Sequence, residues 1–333
     1  MPKKPLRTIF FGTPDFALSS LRACYKNSTL LGVVTQPDRP RGRGHKLSPC
    51  PVRALAQEWG IPTFAPESLK RDSVEKDELF SFLDRQMADL FVVTAYGNIL
   101  PESFLNSPPL GSINVHASLL PKWRGAAPIQ RCLEMNDSET GVCIQQMVYA
   151  LDAGDVISEL RTAIDPNENA LELAARLSDL GGKLLGDLLE KADLSGATTQ
   201  DSKLVTLAAK ITKDEGHWQP TWSTQKTHNR VRAFAAWPQV KARVAPLGLD
   251  IKILKTRVFA QAKPASSPKN PGILHIEAGQ VYLETGVRAG ELLTSSRLEL
   301  LQVQAAGKGP VAAYEFFKNL SIPSGDPLRL EGL

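Results

Sequence analysis

The chain has 333 residues, 42% hydrophobic and 22% charged, with a net charge of +4. That length favours two domains over one, and no apolar run approaches the roughly 20 residues needed to span a bilayer. The start, Met1-Pro2-Lys3-Lys4-Pro5-Leu6-Arg7, is basic but too short for a signal peptide, so a cytoplasmic protein is expected. Cys24, Cys50, Cys132 and Cys143 have no CxxC spacing and the five histidines are scattered, so buried thiols and no metal site are expected.

The charge is unevenly divided. From Leu204 onward there are 17 Lys and Arg against 10 Asp and Glu, a net +7, whereas the first 203 residues carry −3. Between Lys210 and Lys269 the count is 12 basic against 3 acidic. This asymmetry fits either a polyanionic partner near the C-terminal part or a solvated basic face.

In chain order, Thr8 to Phe11 reads as a strand and Phe16 to Tyr25 as a helix. Leu30 to Val34 is the next strand, followed by a Gly/Pro/Arg loop, a helix over Val52 to Trp59, a short strand at Pro62 to Phe64 and a helix over Ser73 to Arg85. Asp89 to Thr94 and Gly111 to His116 read as buried parallel strands. This alternation predicts an α/β fold, a Rossmann-like, mostly parallel sheet with helices on both faces and ligands beyond the carboxyl ends of its strands. Val142 to Tyr149 and Val156 to Ala163 are two further β-like runs, and Leu171 to Lys191 is an amphipathic helix. Residues 193–205 have linker composition, which sets the expected domains at 1–192 and 206–333. Beyond the linker, Gln239 to Val244, Ile251 to Phe259, Ile273 to Glu277, Val281 to Glu284 and Leu298 to Gln304 read as short strands of a small OB-like β-barrel.

Gly12-Thr13-Pro14 after the first strand is not GxGxxG, and Pro14 removes a backbone donor, so no dinucleotide cofactor is expected. Asn114 and His116 stand two apart on a strand and project from one face, with Ile113 and Val115 on the other. An amide donor beside an imidazole suits stabilising charge on a carbonyl oxygen and handling a proton, although a lone His116 also reads as a satisfied core histidine. Asp152 lies in a Leu151-Asp-Ala-Gly-Asp155 turn, where a carboxylate could orient His116; as spacing alone it is equally an ordinary turn.

These segments carry a resemblance. Gly12-Thr-Pro-Asp-Phe16, Thr35-Gln-Pro-Asp-Arg-Pro40, Arg43-Gly-His-Lys-Leu47, Asn114-Val-His-Ala-Ser-Leu-Leu-Pro-Lys-Trp-Arg-Gly-Ala-Ala-Pro128 and Leu151-Asp-Ala-Gly-Asp155 resemble the methionyl-tRNA formyltransferases, within the formyl-tetrahydrofolate-dependent formyltransferases. Lys210-Ile-Thr-Lys213 and Arg232-Ala-Phe-Ala-Ala-Trp-Pro238 extend the likeness over essentially the whole chain. The resemblance implies a catalytic trio of Asn114, His116 and Asp152. It implies a 10-formyl-tetrahydrofolate site at Ser118, Leu119, Leu120 and Pro121, with the pterin gripped near Asn98, Ile99, Leu100, Ala150 and Leu151. It also implies that the formyl group goes to initiator methionyl-tRNA, with no metal, nucleotide cofactor or membrane involved, and a monomer is expected. The basic loop with Arg39, Arg41, Arg43 and Lys46, by composition a solvated loop, becomes the segment that enters the tRNA acceptor stem. Lys252, Lys255 and Arg257 are expected to face the tRNA from the barrel. Phe234 and Trp237 read as barrel packing.

Two other readings stay open on the residues: a relative with another acceptor (an amino-sugar nucleotide, or water), and a non-catalytic RNA-binding protein of the same fold. The basic barrel weighs against the first, and the Asn114, His116, Asp152 set against the second.

Overall fold

The computed structural model describes residues 4–41, 46–71, 73–245, 247–258, 271–286, 297–320 and 327–333, with the side chains at 40, 41 and 46 excepted. The chain forms two compact units interleaved in sequence. The first comprises Met1–Pro128, Glu139–Ala163 and Ala174–Ala208, and the second Ile129–Ser138, Ile164–Leu173 and Ala209–Leu333. Residues 193–205, linker-like in composition, fall within the first unit.

The first unit is built on a seven-stranded sheet: β1 (Arg7–Gly12), β2 (Thr29–Val34), β3 (Thr63–Phe64), β4 (Leu90–Thr94), β5 (Ser112–His116), β6 (Glu139–Gln146) and β7 (Val156–Ala163). Its order is β7-β6-β5-β4-β1-β2-β3. The strands from β5 to β3 run parallel, while β6 and β7 add antiparallel at the other edge. Every residue of β4 is buried, which explains why it reads as an uninterrupted apolar run instead of an alternating one. Phe11 on β1 packs against Phe91, Tyr96 and Phe104 with ring centroids 5.3–5.6 Å apart, the tilted and edge-on arrangements that aromatic quadrupoles favour.

The connecting helices start where their capping chemistry allows. In α1 (Leu18–Asn27), Leu21 and Cys24 are buried. Helix α2 (Pro51–Glu58) opens with Pro51, whose missing N–H costs nothing in the first turn, and the Cys50 sulfur accepts from the Arg53 N–H. In α3 (Val74–Gln86) the Ser73 hydroxyl accepts from the Lys76 N–H. Helix α4 (Ala170–Lys191) buries Leu177, Leu184, Leu185 and Leu188 at helical spacing. It lies so close to α1 that a Cβ on Gly182 would come within 2.7 Å of the Ser19 Cβ.

The second unit contains α5 (Thr224–Ala233) and a sheet of β8 (Val240–Ala245), β9 (Leu249–Val258), β10 (Leu274–Glu277), β11 (Gln280–Glu284), β12 (Arg297–Ala305) and β13 (Arg329–Glu331). The order is β10-β11-β12-β9-β8-β13, antiparallel throughout. The two edges then meet: the Leu274 N–H donates to the Leu328 carbonyl and the Leu330 N–H to the Gly272 carbonyl, both at 2.8 Å. Closing the ring satisfies edge groups that an open sheet would expose, and Val240, Ala242, Val244, Ile251, Val281, Leu300 and Val303 fill the interior.

Helix α5 carries an unusual load of buried polar residues, among them His228 and Arg232. The Arg232 guanidinium donates to the Leu133 carbonyl and the Asn136 side chain, each at 3.3 Å, and to Asn229 Oδ1 at 3.2 Å. It thereby satisfies the end of the helix Pro128–Glu134, where carbonyls lack intrahelical partners. His228 sits between the Thr256 hydroxyl (2.9 Å to Nδ1) and the Pro166 carbonyl (3.0 Å to Nε2). Because a carbonyl only accepts, Nε2 carries the proton in the neutral ring.

Burial holds the His228 pKa below its ordinary value of 6.5, with the Arg232 charge adding to the shift and the Pro166 hydrogen bond opposing it. A histidine depressed in this way contributes stability above the unfolded value, and that stability is lost as pH falls through about 6.5 toward the folded pKa. Denaturant unfolding at about pH 8 and about pH 5 is therefore expected to show a loss of stability on acidification. His228→Gln should diminish that loss, and an undiminished loss would exclude His228 as its source.

Candidate active site

The parallel order of β1, β4 and β5 brings their carboxyl ends to one edge of the sheet. Gly12 pairs with Thr94, and Val93 with Asn114. On the other side of β5, the antiparallel ladder sets Asn114 opposite Gln145 and His116 opposite Cys143. Directly opposed residues share a face, so these four side chains leave the sheet together, while Ile113 and Val115 are buried on the opposite face.

His116 is 6% exposed. Its Nε2 lies 3.0 Å from the Trp123 carbonyl, which makes Nε2 a donor, and its Nδ1 is 3.7 Å from Asp152 Oδ1. At that separation the imidazole and carboxylate are an ion-pair geometry without a hydrogen bond. The Asp152 side chain is 12% exposed and already held: Oδ1 accepts from Gln145 Nε2 at 2.9 Å and Oδ2 from the Gly125 N–H at 2.8 Å. No hydrogen bond of the described residues engages the Asn114 side-chain amide, which leaves a donor available to a ligand.

Two residues reach this arrangement through the left-handed backbone region, Asp152 at φ 48° and Trp123 at φ 62°. Asp tolerates that conformation through its short polar side chain. A bulky aromatic does not, and such outliers concentrate at sites where the surrounding structure enforces them. Here the Thr206 hydroxyl accepts from the Trp123 N–H at 2.9 Å.

The residues expected at the folate divide into two kinds. Ser118, Leu120 and Leu100 are buried, and the Ser118 hydroxyl donates to the Lys122 carbonyl at 2.6 Å, so they shape the loop. The loop contains a cis Leu120-Pro121 bond, and Leu119 packs against Gly141, where a Cβ would meet it at 2.5 Å. Ile99 and Leu151, by contrast, are apolar yet 68% and 70% exposed, and Ala150 is exposed too. Asn98 accepts from Gln36 Nε2 at 2.9 Å and donates to the Glu67 carbonyl.

The basic loop has more order at its base than its composition indicates. Arg39–Arg41 and Lys46–Ser48 form a two-stranded antiparallel ladder, with Arg41 opposite Lys46. Arg39 donates to Gln36 Oε1, and Arg43 lies outside the described residues. In the barrel, strict alternation would set Lys252 on the opposite face from Lys255 and Arg257. The ladder between β9 and β12 shifts register on both sides of Lys255. That bulge lets Ile251, Ile253 and Thr256 point inward while Lys255 and Arg257 are exposed and Lys252 is half-buried. Arg257 is paired with Glu299 at 3.1 Å, which offsets part of its charge. Phe234 is buried as expected, but Trp237 is 52% exposed and is not barrel packing.

Sequence reasoning missed Gln145, Gly125, Trp123, Gln200 and Thr206. Only strand pairing and loop closure bring them to Asp152 and His116, although Gln145 does share its strand parity with Cys143. The four cysteines are buried, and burial pushes the Cys143 thiol up to about 12, against the Leu120 backbone hydrogen bond.

This sheet, with its carboxyl-edge amide, imidazole and carboxylate, is that of a formyl transferase: residues 6–189 match the formyl transferase family and 210–321 its C-terminal domain, and the chain belongs to that family. The methionyl-tRNA formyltransferase of Hydrogenovibrio crunogenus (strain DSM 25203 / XCL-2) is 39% identical over 316 residues, 94% of this chain and 96% of the relative. An N-formyltransferase from Helicobacter canadensis, solved with folinic acid and dTDP-3-aminofucose, shares the fold with a TM-score of 0.61 at 15% identity, over 90% of this chain and 99% of that one. HypX from Aquifex aeolicus, solved with tetrahydrofolic acid, matches at 0.56 and 12% identity, over 98% of this chain and 51% of its own. No helix of the described residues is long and apolar enough to cross a membrane.

The turn that carries Asp152 has no room for a side chain at Gly154, where a Cβ would stand 1.8 Å from the Gln146 carbonyl oxygen. Gly154→Ala is expected to displace the turn, to cost ~1–3 kcal/mol of stability as overpacking does, and to lower turnover more than substrate affinity. Unchanged unfolding and kinetics would show that the turn moves freely.

Proposed function

We propose that the chain transfers the formyl group of 10-formyl-tetrahydrofolate to the α-amino group of initiator methionyl-tRNA. The observation that carries the chemistry is the unengaged Asn114 amide beside the His116–Asp152 pair. The likeness to the Hydrogenovibrio methionyl-tRNA formyltransferase supports the acceptor. As the methionyl nitrogen attacks the formyl carbon, a C–N bond forms and the carbonyl oxygen becomes an oxyanion. The Asn114 amide donates to that oxygen. Protonated His116, its charge balanced by Asp152, stabilises it further, with Nε2–H exchanging the Trp123 carbonyl for the substrate oxygen. Collapse breaks the bond to N10 of the folate. The amine loses one proton and N10 gains one, a transfer that Asp152 and His116 mediate with no net proton change.

In this reading the exposed apolar side chains of Ile99 and Leu151 give the flat heterocycle of the folate its walls, with backbone groups of 98–100 and 150–151 to orient it. Arg39, Arg41, Arg43 and Lys46 hold the acceptor end of the tRNA, and Lys252 and Lys255 hold phosphates along its body. Arg257 contributes less because Glu299 shares it. The protein acts in the cytoplasm, as a monomer.

The assignment is tested by formyl transfer to charged initiator tRNA, to an amino-sugar nucleotide and to water in parallel, with tRNA expected as the preferred acceptor. His116→Ala or Asp152→Ala should abolish most turnover and spare tRNA binding, since these groups act on charge that develops during the reaction. Asn114→Ala should cost ~2.7–4 kcal/mol in the barrier. Near-normal turnover by the His116 or Asp152 variant would refute the trio. The basic face is tested by salt titration of tRNA binding: each phosphate contact adds roughly 0.7–0.9 to the log–log slope, so Lys252→Gln with Lys255→Gln should flatten it. An unchanged slope would mean that this face stays in solvent.

A further inference from the structure

The segment 198–208, which the sequence divides between the end of a linker at 205 and the start of the second domain, is stitched to both loops of the candidate site. Thr198 exchanges backbone hydrogen bonds with Val156 at 2.8 and 2.9 Å, and its continuation pairs Leu207 and Ala208 with Arg124 and Gly125. Between these anchors, Gln200 spans the two loops with both ends of its amide. Its Nε2 donates to the carbonyls of Asp152 (2.9 Å) and Gly154 (2.6 Å), and its Oε1 accepts from Arg124 Nε (3.0 Å) and Nη2 (2.8 Å). The residue after Arg124 is Gly125, whose N–H holds Asp152 Oδ2.

We infer that Gln200 is a positioning residue for formyl transfer: it touches no reacting atom, and fixes the Asp152 carboxylate against His116. The inference rests on the reading of Asp152 as part of the catalytic trio. Its physical basis is that Asp152 stands 3.7 Å from His116, so small displacements decide whether the two meet. Asp152 also sits in a tight turn whose backbone carbonyls, at Asp152 and Gly154, Gln200 Nε2 ties down. Gln200 supports Asp152 twice, directly at the Asp152 carbonyl and indirectly through Arg124 and the Gly125 N–H. An ordinary loop tie would stabilise the fold without acting through one carboxylate.

The test uses the full-length chain and formyl transfer from 10-formyl-tetrahydrofolate to charged initiator tRNA, for Gln200→Leu, Gln200→Glu, Asp152→Asn and the double variant Gln200→Leu with Asp152→Asn. Misplacement of a reacting group by about 1 Å can cost on the order of 100-fold, so Gln200→Leu is expected to lower kcat by up to that factor with KM for the folate unchanged. Gln200→Glu keeps the acceptor for Arg124 but cannot donate to two carbonyls, so it should also lower kcat, by less than the Leu variant. In the Asp152→Asn background Gln200→Leu should add little, because its effect passes through the group already altered. Wild-type kcat in Gln200→Glu, or losses that multiply in the double variant, would overturn the inference. If Gln200→Leu melts early, the Glu variant, with its Arg124 bridge intact, decides. Failure of the trio itself would show separately, as near-normal turnover of Asp152→Asn alone.

Discussion

A carboxylate withdrawn from water keeps its charge and its place only when both oxygens are satisfied. In the first unit that requirement falls on Asp152: two segments satisfy its oxygens and a third holds its backbone. Gln145 comes from an antiparallel strand, the Gly125 N–H from the loop after β5, and the support at the Asp152 backbone from Gln200. Much of the local geometry follows from this one group. The strained Trp123, whose carbonyl orients the His116 ring, belongs to the same loop as Gly125. The close approach at Gly154 lets the turn bring Asp152 back to the sheet edge. A parallel sheet alone would offer only Asn114 and His116. The antiparallel addition of β6 converts that pair into a supported site, because its register sets Gln145 opposite Asn114.

The second unit solves a different problem with similar means. Its barrel interior is apolar, yet α5 buries a guanidinium and an imidazole. Among the described residues neither meets a carboxylate in its direct hydrogen bonds; carbonyls, an amide and a hydroxyl satisfy them. Arg232 thus closes the end of the helix Pro128–Glu134, whose residues from Ile129 onward, far away in sequence, belong to this unit. A nearby cluster, Arg131 and Arg230 with Glu134 and Glu215, adds ion pairs of 2.6–2.7 Å, and Arg230 stacks on Trp222 at 4.5 Å. Interleaving of the chain is therefore built into the packing of this unit.

Within the proposed function the division of labour is physical. The reacting end needs groups that are dry and fixed, because oxyanion stabilisation depends on preorganised donors. Phosphate holding needs exposed cations whose attraction is long-ranged and salt-sensitive. Buried His116 and Asp152 on one unit, and exposed Lys255 on the other, meet those opposite demands.

Local chemistry fixed much of this protein in the sequence. Apolar runs and alternation located the strands from β1 to β12 to within a few residues, and the period of two put Asn114 and His116 on one face. The basic excess after Leu204 was legible as composition. What the sequence could not determine depends on distance in space: which strand lies beside β5, and in what register. A shift of one residue there would turn Gln145 away from Asp152. The bulge at Lys255 likewise decides which lysines share a face, and it exists only where β9 meets β12. Gln200 was hidden for the same reason. Its residue type and neighbours are those of a linker, and its role comes from hydrogen bonds to residues 46–76 positions away, which only the closed tertiary structure brings within 3 Å.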